Sequence, residues 1–317
     1  MNERKLKISF CWDWENKWIQ MMTWKDGLAR AIQLLSEEFD VKVYSIGKDT
    51  IFQHDYFPII LKPTSEELAN KILKDKPDVI LVWGDFTRPT IPLLAHKGIP
   101  MALCLAGGPF REYADLFDLV FVESEVYKKQ MEKEGRNVRR AFGTNTELFK
   151  PIKQKKVWDV IFPATFATWK RHKLFAESVK NALCCGWMYF DHETECWKIC
   201  QDNGITLLPH VPADVLVHLY NTSKTCVITS DSTGGSQRTV LEAMACNIPT
   251  IVMNDSDKTS EYIRACGLGE IVEPNPTHIK EAVEKWKDKE INTRDWILEN
   301  YSEYVYAKQL KEGLLSL

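Results

Sequence analysis

The chain has 317 residues, of which 44% are hydrophobic and 27% charged, a composition of soluble globular proteins at a length that accommodates two domains. A formal net charge of −3 offers no global attraction to nucleic acid, so no nucleic-acid partner is expected despite the local Lys170-Arg171-His172-Lys173 cluster. The N-terminus enters a strand pattern directly, with neither a signal-type apolar stretch nor a run near the roughly 20 apolar residues of a membrane span, and a cytoplasmic protein is expected.

Strand-like and helix-like runs alternate along the whole sequence, which is the pattern of parallel sheets covered by helices, and the fold class is α/β. In the first half, strands are expected at 6–11, 41–46, 57–61, 79–83, 101–105 and 119–122, with helices at 24–38, 65–74, 90–97 and 125–134. At Lys150-Pro-Ile-Lys-Gln-Lys-Lys156 the pattern stops in a basic, proline-containing stretch that reads as a linker. A second series follows, with strands at 160–163, 187–190, 205–208, 225–229, 250–253 and 270–272. Its helices begin near Trp169, Glu193, Ala213, Gln237, Ser260 and Thr277, and 293–315 is again helical. The expected domains are therefore 1–150 and 151–292, with a helical segment at 293–317.

Nine cysteines, an odd number, lie mostly inside apolar runs and read as reduced core residues. Cys196 and Cys200 share a helical face near Cys184-Cys185, yet no CxxC pair or histidine spacing accompanies them, and no metal site is expected. Trp12, Trp14, Trp18 and Trp24 crowd one short stretch, where indoles either stack on sugar or base faces or cap the core.

The most informative segment is Asp231-Ser-Thr-Gly-Gly-Ser-Gln-Arg238. The run Thr225 to Ser230 before it reads as a short buried strand, and Val240, Leu241, Met244 and Ala245 after it recur at helical spacing. Free N–H groups at a helix start favour a phosphate, and two glycines let an anion approach the backbone; the other reading is a tight connection in an ordinary sheet. Lys170 also follows a strand and opens a helix, so it either addresses the same anion or caps the helix in solvent. Asp13 and Glu15 lie in the first strand-end loop, as a base for an acceptor hydroxyl or as solvated loop residues. Asp255-Ser-Asp257 spells a DxD motif and reads as helix capping.

Several runs of the second half together resemble the GT-B glycosyltransferases of family 4, the group 1 type. They are Trp169-Lys-Arg-His-Lys, His210-Val-Pro-Ala-Asp-Val-Leu with Leu219-Tyr220, Leu241-Glu-Ala-Met-Ala-Cys-Asn-Ile-Pro-Thr-Ile-Val and Ser260-Glu-Tyr-Ile. The run Gly143-Thr-Asn-Thr-Glu-Leu-Phe-Lys-Pro151 is similar to the one that closes the first domain in that family. The resemblance implies two Rossmann-like domains facing a central cleft, with the acceptor on the first, the donor on the second, and a C-terminal segment crossing back to the first.

The same resemblance implies a retaining enzyme that needs no metal or other cofactor. Its partners are a nucleotide-sugar donor, with hexose transfer implied, and a glycan, lipid-linked or small-molecule acceptor; peripheral membrane contact stays open. Glu242 matches the second glutamate of the family's paired motif, which binds the ribose hydroxyls, and Lys170 the lysine that neutralises the diphosphate. Gly234, Gly235 and Ser236 match the turn beside the donor sugar and phosphates, and Pro209, His210 and Val211 the loop that receives the base. Glu261 matches a position near the donor.

Three departures stand out. Gly234 occupies the place of the first motif glutamate, with Asp231 as a nearby substitute. Thr165 stands where many relatives have arginine, leaving Arg171 or Arg238 to supply the charge, and Ala106-Gly-Gly-Pro-Phe110 stands where many have a histidine. The departures keep two further readings open: a non-catalytic nucleotide-sugar-binding subunit, or a sugar-nucleotide epimerase of the same fold.

Overall fold

The computed structural model describes residues 5–15, 26–106, 111–188, 193–209, 211–233 and 238–317, with the backbone alone for Trp14, Glu15 and Glu193. The chain divides into two compact units, Met1–Phe142 with Glu303–Leu317, and Gly143–Ser302.

The first unit is built on β1 (Lys7–Glu15), β2 (Asp40–Ile46), β3 (Thr50–Gln53), β4 (Pro58–Lys62), β5 (Val79–Gly84), β6 (Met101–Leu105), β7 (Leu119–Val122) and β8 (Val138–Arg140). They form one sheet in the order β3-β4-β2-β1-β5-β6-β7-β8, parallel except for β3 against β4. Its helices are α1 (Gly27–Glu38), α2 (Ser65–Asp75), α3 (Thr90–Leu94), α4 (Glu125–Lys133) and the C-terminal helix Glu303–Leu314. Side chains alternate across each strand. Phe10 and Trp12 of β1 therefore pack with Ile32 and Leu35 of α1 and Leu310 of the C-terminal helix. On the other face, Cys11 packs with Leu68 and Ile72 of α2 and Ile91 of α3. Asp26, Thr64 and Ser124 cap α1, α2 and α4 by accepting N–H groups at Ala29, Glu67 and Tyr127. A Cβ on Gly313 would lie 2.4 Å from the Phe121 ring, so glycine lets the C-terminal helix approach β7.

The second unit holds β9 (Trp158–Pro163), β10 (Ala182–Gly186), β11 (Thr206–Pro209), β12 (Ser223–Ile228), β13 (Thr250–Met253) and β14 (Glu270–Val272). Its sheet is parallel throughout, in the order β11-β10-β9-β12-β13-β14. The helices are α5 (His172–Ser178), α6 (Glu193–Asp202), α7 (Ala213–Asn221), α8 (Arg238–Ala245), α9 (Asp257–Cys266), α10 (Pro276–Trp286) and α11 (Arg294–Asn300).

Several expectations need correction. Of the strand expected at 187–190, residues 187 and 188 belong to no strand and 189–190 lie outside the described residues; an unexpected strand stands at Ala182–Gly186, between β9 and β11, with Cys184 fully buried and Trp187 36% exposed. The edge strands β3 and β8 were not expected, because one is half-exposed along its length and the other ends in two arginines. The expected linker at 150–156 is strapped to the second unit: Asn221 accepts the Ile152 N–H and donates to the Lys150 carbonyl, and Lys156 donates to the Ser223 carbonyl. The division thus falls at residues 142 and 143 rather than at 150. The expected helix 293–315 is two helices, interrupted at Tyr301-Ser302, where Ser302 bridges to Thr144 and the chain leaves the second unit.

In both units the chain winds outward on one side of the first strand and then returns to its other side. The reversals lie between β1 and β5 in one sheet and between β9 and β12 in the other. Open α/β sheets bind ligands beyond the strand C-termini at such points.

Candidate functional site

The end of β9 leads through a 3-10 turn, Thr168–Lys170, into α5. Lys170 is 8% exposed; its N–H donates to the Ala167 carbonyl at 2.9 Å and its carbonyl accepts the Thr229 hydroxyl at 2.7 Å. The Asp231 N–H donates to the Trp169 carbonyl at 3.0 Å. These bonds stitch the Lys170 turn to the exit of β12, so a buried cation stands at the reversal of the sheet. Thr165 lies half-buried in the same connection. A Cβ on Gly186 would come within 1.9 Å of the Ala164 carbonyl oxygen, which makes glycine necessary where β10 ends beneath that connection.

Arg171 follows Lys170 in a left-handed conformation, φ 54° and ψ 51°, which costs a non-glycine residue about 1–2 kcal/mol. Its guanidinium offsets that cost with charge-assisted bonds. Nε donates to the Thr229 carbonyl at 2.5 Å and Nη2 to the Ser230 carbonyl at 3.1 Å. Nη1 and Nη2 also hold the two carboxylate oxygens of Asp255 at 2.6 and 2.9 Å. Arg171 was expected, as one of two candidates with Arg238, to supply the charge missing at Thr165, and Asp255 to cap a helix. Here they bind each other, and Ser256, at the start of α9, makes no side-chain capping bond.

Glu242 lies on α8, 6% exposed, and accepts the Tyr220 hydroxyl at 3.1 Å; that hydroxyl also lies 3.2 Å from the Thr239 carbonyl. Burial, and next the charge of Glu242, push the Tyr220 phenol well above its ordinary range and the Cys185 thiol up to about 12. Burial, and next the neighbouring Cys185 thiol and then Glu242, likewise raise the Cys226 thiol on β12 well above its ordinary range. Among the described residues, the buried hydroxyl oxygens of Ser230 and Thr239 have no hydrogen-bond partner. A buried hydroxyl left without water or another partner costs about 1–3 kcal/mol. Arg238 opens α8 and Val211 precedes α7, both half-buried. Gly234, Gly235, Ser236, His210 and the Glu15 side chain lie outside the described residues.

The corresponding edge of the first unit is built differently. Asp13, 4% exposed, accepts the Thr90 N–H at 2.8 Å and the Ser65 hydroxyl at 3.1 Å, so it holds the starts of α3 and α2. Asp85 accepts the Thr87 N–H at 2.8 Å and Arg88 Nη2 at 2.7 Å. Burial raises its pKa, but the bonds from Arg88 and Thr87 outweigh that and hold the carboxyl below its ordinary value.

Of the expected site residues, Lys170 and Glu242 share the reversal region of the second sheet, while Asp13 belongs to the other unit. Ser230, Thr239 and Asp255 were not anticipated as site residues. Ser230 and Asp255 carry the signal of a polar residue just past a buried strand, and Thr239 that of a hydroxyl in a first helical turn. Among the described residues, no group of three His, Cys, Asp or Glu stands close enough to hold a metal, and no helix is long and apolar enough to cross a membrane.

The family model for glycosyl transferases group 1 matches residues 144–303, nearly coincident with the second unit. A search of curated protein sequences returns no match. Among solved structures, HepE of Anabaena in complex with UDP and glucose superposes with a TM-score of 0.75 at 13% identity, covering 98% of this chain and 100% of that one. Sucrose-phosphate synthase of Thermosynechococcus elongatus gives 0.74 at 14% identity, covering 97% and 98%. A glycosyltransferase of Rickettsia africae gives 0.72 at 13% identity, covering 98% of each. The fold is therefore GT-B, with two Rossmann-like parallel sheets. With half of its length matched, including the Lys170 turn and the Glu242 helix, this chain belongs to the group 1 glycosyl transferases.

Proposed function

We propose that the chain transfers a hexose from a nucleotide-sugar to an acceptor hydroxyl, with retention at the anomeric carbon and without a metal. The observation that carries this reading is that Lys170, on the turn after β9, and Glu242, on the helix after β12, are both buried on the two connections that flank the reversal of one sheet. A diphosphate leaving group needs the first, and the ribose hydroxyls of a nucleotide are met by the second. The C1–O bond to the diphosphate breaks as the acceptor oxygen bonds to C1 on the same face. The acceptor proton passes to the departing phosphate oxygen. Lys170 stabilises the charge that develops on the diphosphate, and the rest of the protein contributes positioning. Asp13 is then a holder of two helix starts, since Thr90 and Ser65 engage its carboxylate.

UDP in the HepE structure supports a uridine donor as the first probe. The acceptor is a glycan, a lipid-linked sugar or a small molecule. Nine free thiols, eight of them buried, support a cytoplasmic setting. A second reading, a binding subunit without transfer activity, is favoured by Gly234 and Thr165 standing where the family carries charged residues.

Thermal-shift measurements with UDP-, GDP-, ADP- and dTDP-sugars test the first reading. At a hundredfold excess over Kd, the right donor stabilises the fold by about 2.7 kcal/mol. No shift with any of them contradicts it. Donor hydrolysis in the presence of a chelator, with the released sugar's anomer read by NMR, separates a retaining, metal-free enzyme from a binding subunit.

A further inference from the structure

We propose that Arg171 and Asp255 form a positioning device for the donor diphosphate, acting through Lys170 and the exit of β12 without touching the donor. The inference rests on the donor reading of the second unit. Thr229 and Ser230 lie beyond Ile228, the last residue of β12, and both are buried. Their carbonyls are therefore outside the strand, in a place where an unpaired carbonyl is costly. Arg171 supplies the donors for both. Thr229 in turn donates its hydroxyl to the Lys170 carbonyl, and Asp231, two residues further on, donates its N–H to the Trp169 carbonyl. The Lys170 turn is thus fixed to β12 through main-chain groups on both sides of its side chain.

Asp255 anchors the other end, from the connection between β13 and α9. A guanidinium has five N–H donors, and the bonds to Thr229, Ser230 and Asp255 engage four of them. The Asp255 carboxylate also cancels the charge at the tip of the side chain. A phosphate seated directly on Arg171 would lie beside that carboxylate and be repelled by it. The arrangement holds the cation next door in place and leaves Lys170 to meet the anion.

The test measures UDP affinity by calorimetry, and amide exchange at residues 168–171 and 229–231, for the full chain and for Asp255→Asn, Arg171→Lys and Arg171→Gly. A positioning role predicts that Asp255→Asn and Arg171→Lys each weaken UDP about tenfold and speed exchange in both segments without ligand, because neither retains the two-sided fork. Arg171→Gly relieves the left-handed backbone, so its melting temperature is held up while its UDP affinity falls equally; a merely structural residue would lose both together. Should Asp255→Asn fail to fold, Arg171→Lys carries the same comparison. Tighter UDP binding by Asp255→Asn, or near-native affinity in Arg171→Lys, means that Arg171 is a direct phosphate ligand and overturns the proposal. Unchanged affinity in all three also overturns it. If the wild-type chain binds none of UDP, GDP, ADP and dTDP, the donor reading itself fails, and this proposal fails with it.

Discussion

The two sheets reverse direction in the same way, but the polar groups at the two reversals are disposed differently. At the β1 and β5 reversal, Asp13 is engaged by Thr90 and Ser65, and Asp85 by Arg88 and Thr87. At the β9 and β12 reversal, Lys170 and Glu242 are buried with opposite charge beside two buried hydroxyls, Ser230 and Thr239, that lack partners among the described residues. The fold supplies the crevice in both cases. Of these groups, the Ser230 and Thr239 hydroxyls are the ones whose energy a ligand bound at the second reversal would change most.

The largest expected effect breaks that contrast at its cation. Lys170→Met should lower kcat/KM for donor turnover about a thousandfold, since the diphosphate then leaves without its counter-charge. Steady-state kinetics against a donor identified by thermal shift checks it, and a loss below tenfold means that another group carries the charge.

The next effect concerns the same turn and is read as stability. Burial pushes the His172 imidazole down to about 4, and neighbouring Lys170 adds to the lowering. The unfolded chain binds the proton near pH 6.5 and the folded chain only near 4. Stability is therefore full above about pH 6.5 and declines as pH falls through the window to 4, by about 3 kcal/mol in all. Chemical denaturation between pH 7 and 4 should show this slope, and His172→Phe should flatten it; an unaltered slope in the variant assigns the acid sensitivity elsewhere.

Asp13 gives the smaller and sharper test of the comparison. Removing its carboxylate leaves the Thr90 N–H and Ser65 hydroxyl without their acceptor, so Asp13→Ala should cost about 2 kcal/mol of stability while kcat stays near the wild-type value. A collapse of kcat with unchanged stability would restore Asp13 as the acceptor base.

Much of this was legible in the sequence because burial writes a strong pattern. The parallel core strands and the runs at Trp169 to Lys173 and Leu241 to Val252 are apolar or spaced in ways that few other structures allow. The strand at Ala182–Gly186 was hidden because its alanine and glycine have little β-propensity, while the adjacent Trp187 to Phe190 run has much. The basic 150–156 stretch looked like a linker because lysines and a proline carry no record of the Asn221 side chain that ties it down. Arg171 and Asp255 are 84 residues apart, and no local pattern pairs them. In the same way, the composition of the first loop suggested a base at Asp13, but only the fold reveals Thr90 and Ser65 on its oxygens.

The most direct measurement is a calorimetric titration of UDP, with GDP, ADP and dTDP as alternatives, into the wild-type chain, Glu242→Ala and Asp13→Ala. One nucleotide should bind per wild-type chain, with affinity weakened about a hundredfold in Glu242→Ala and unchanged in Asp13→Ala. Equal affinity in wild type and Glu242→Ala, or no binding of any nucleotide to the wild-type chain, contradicts the placement of the donor at the second reversal.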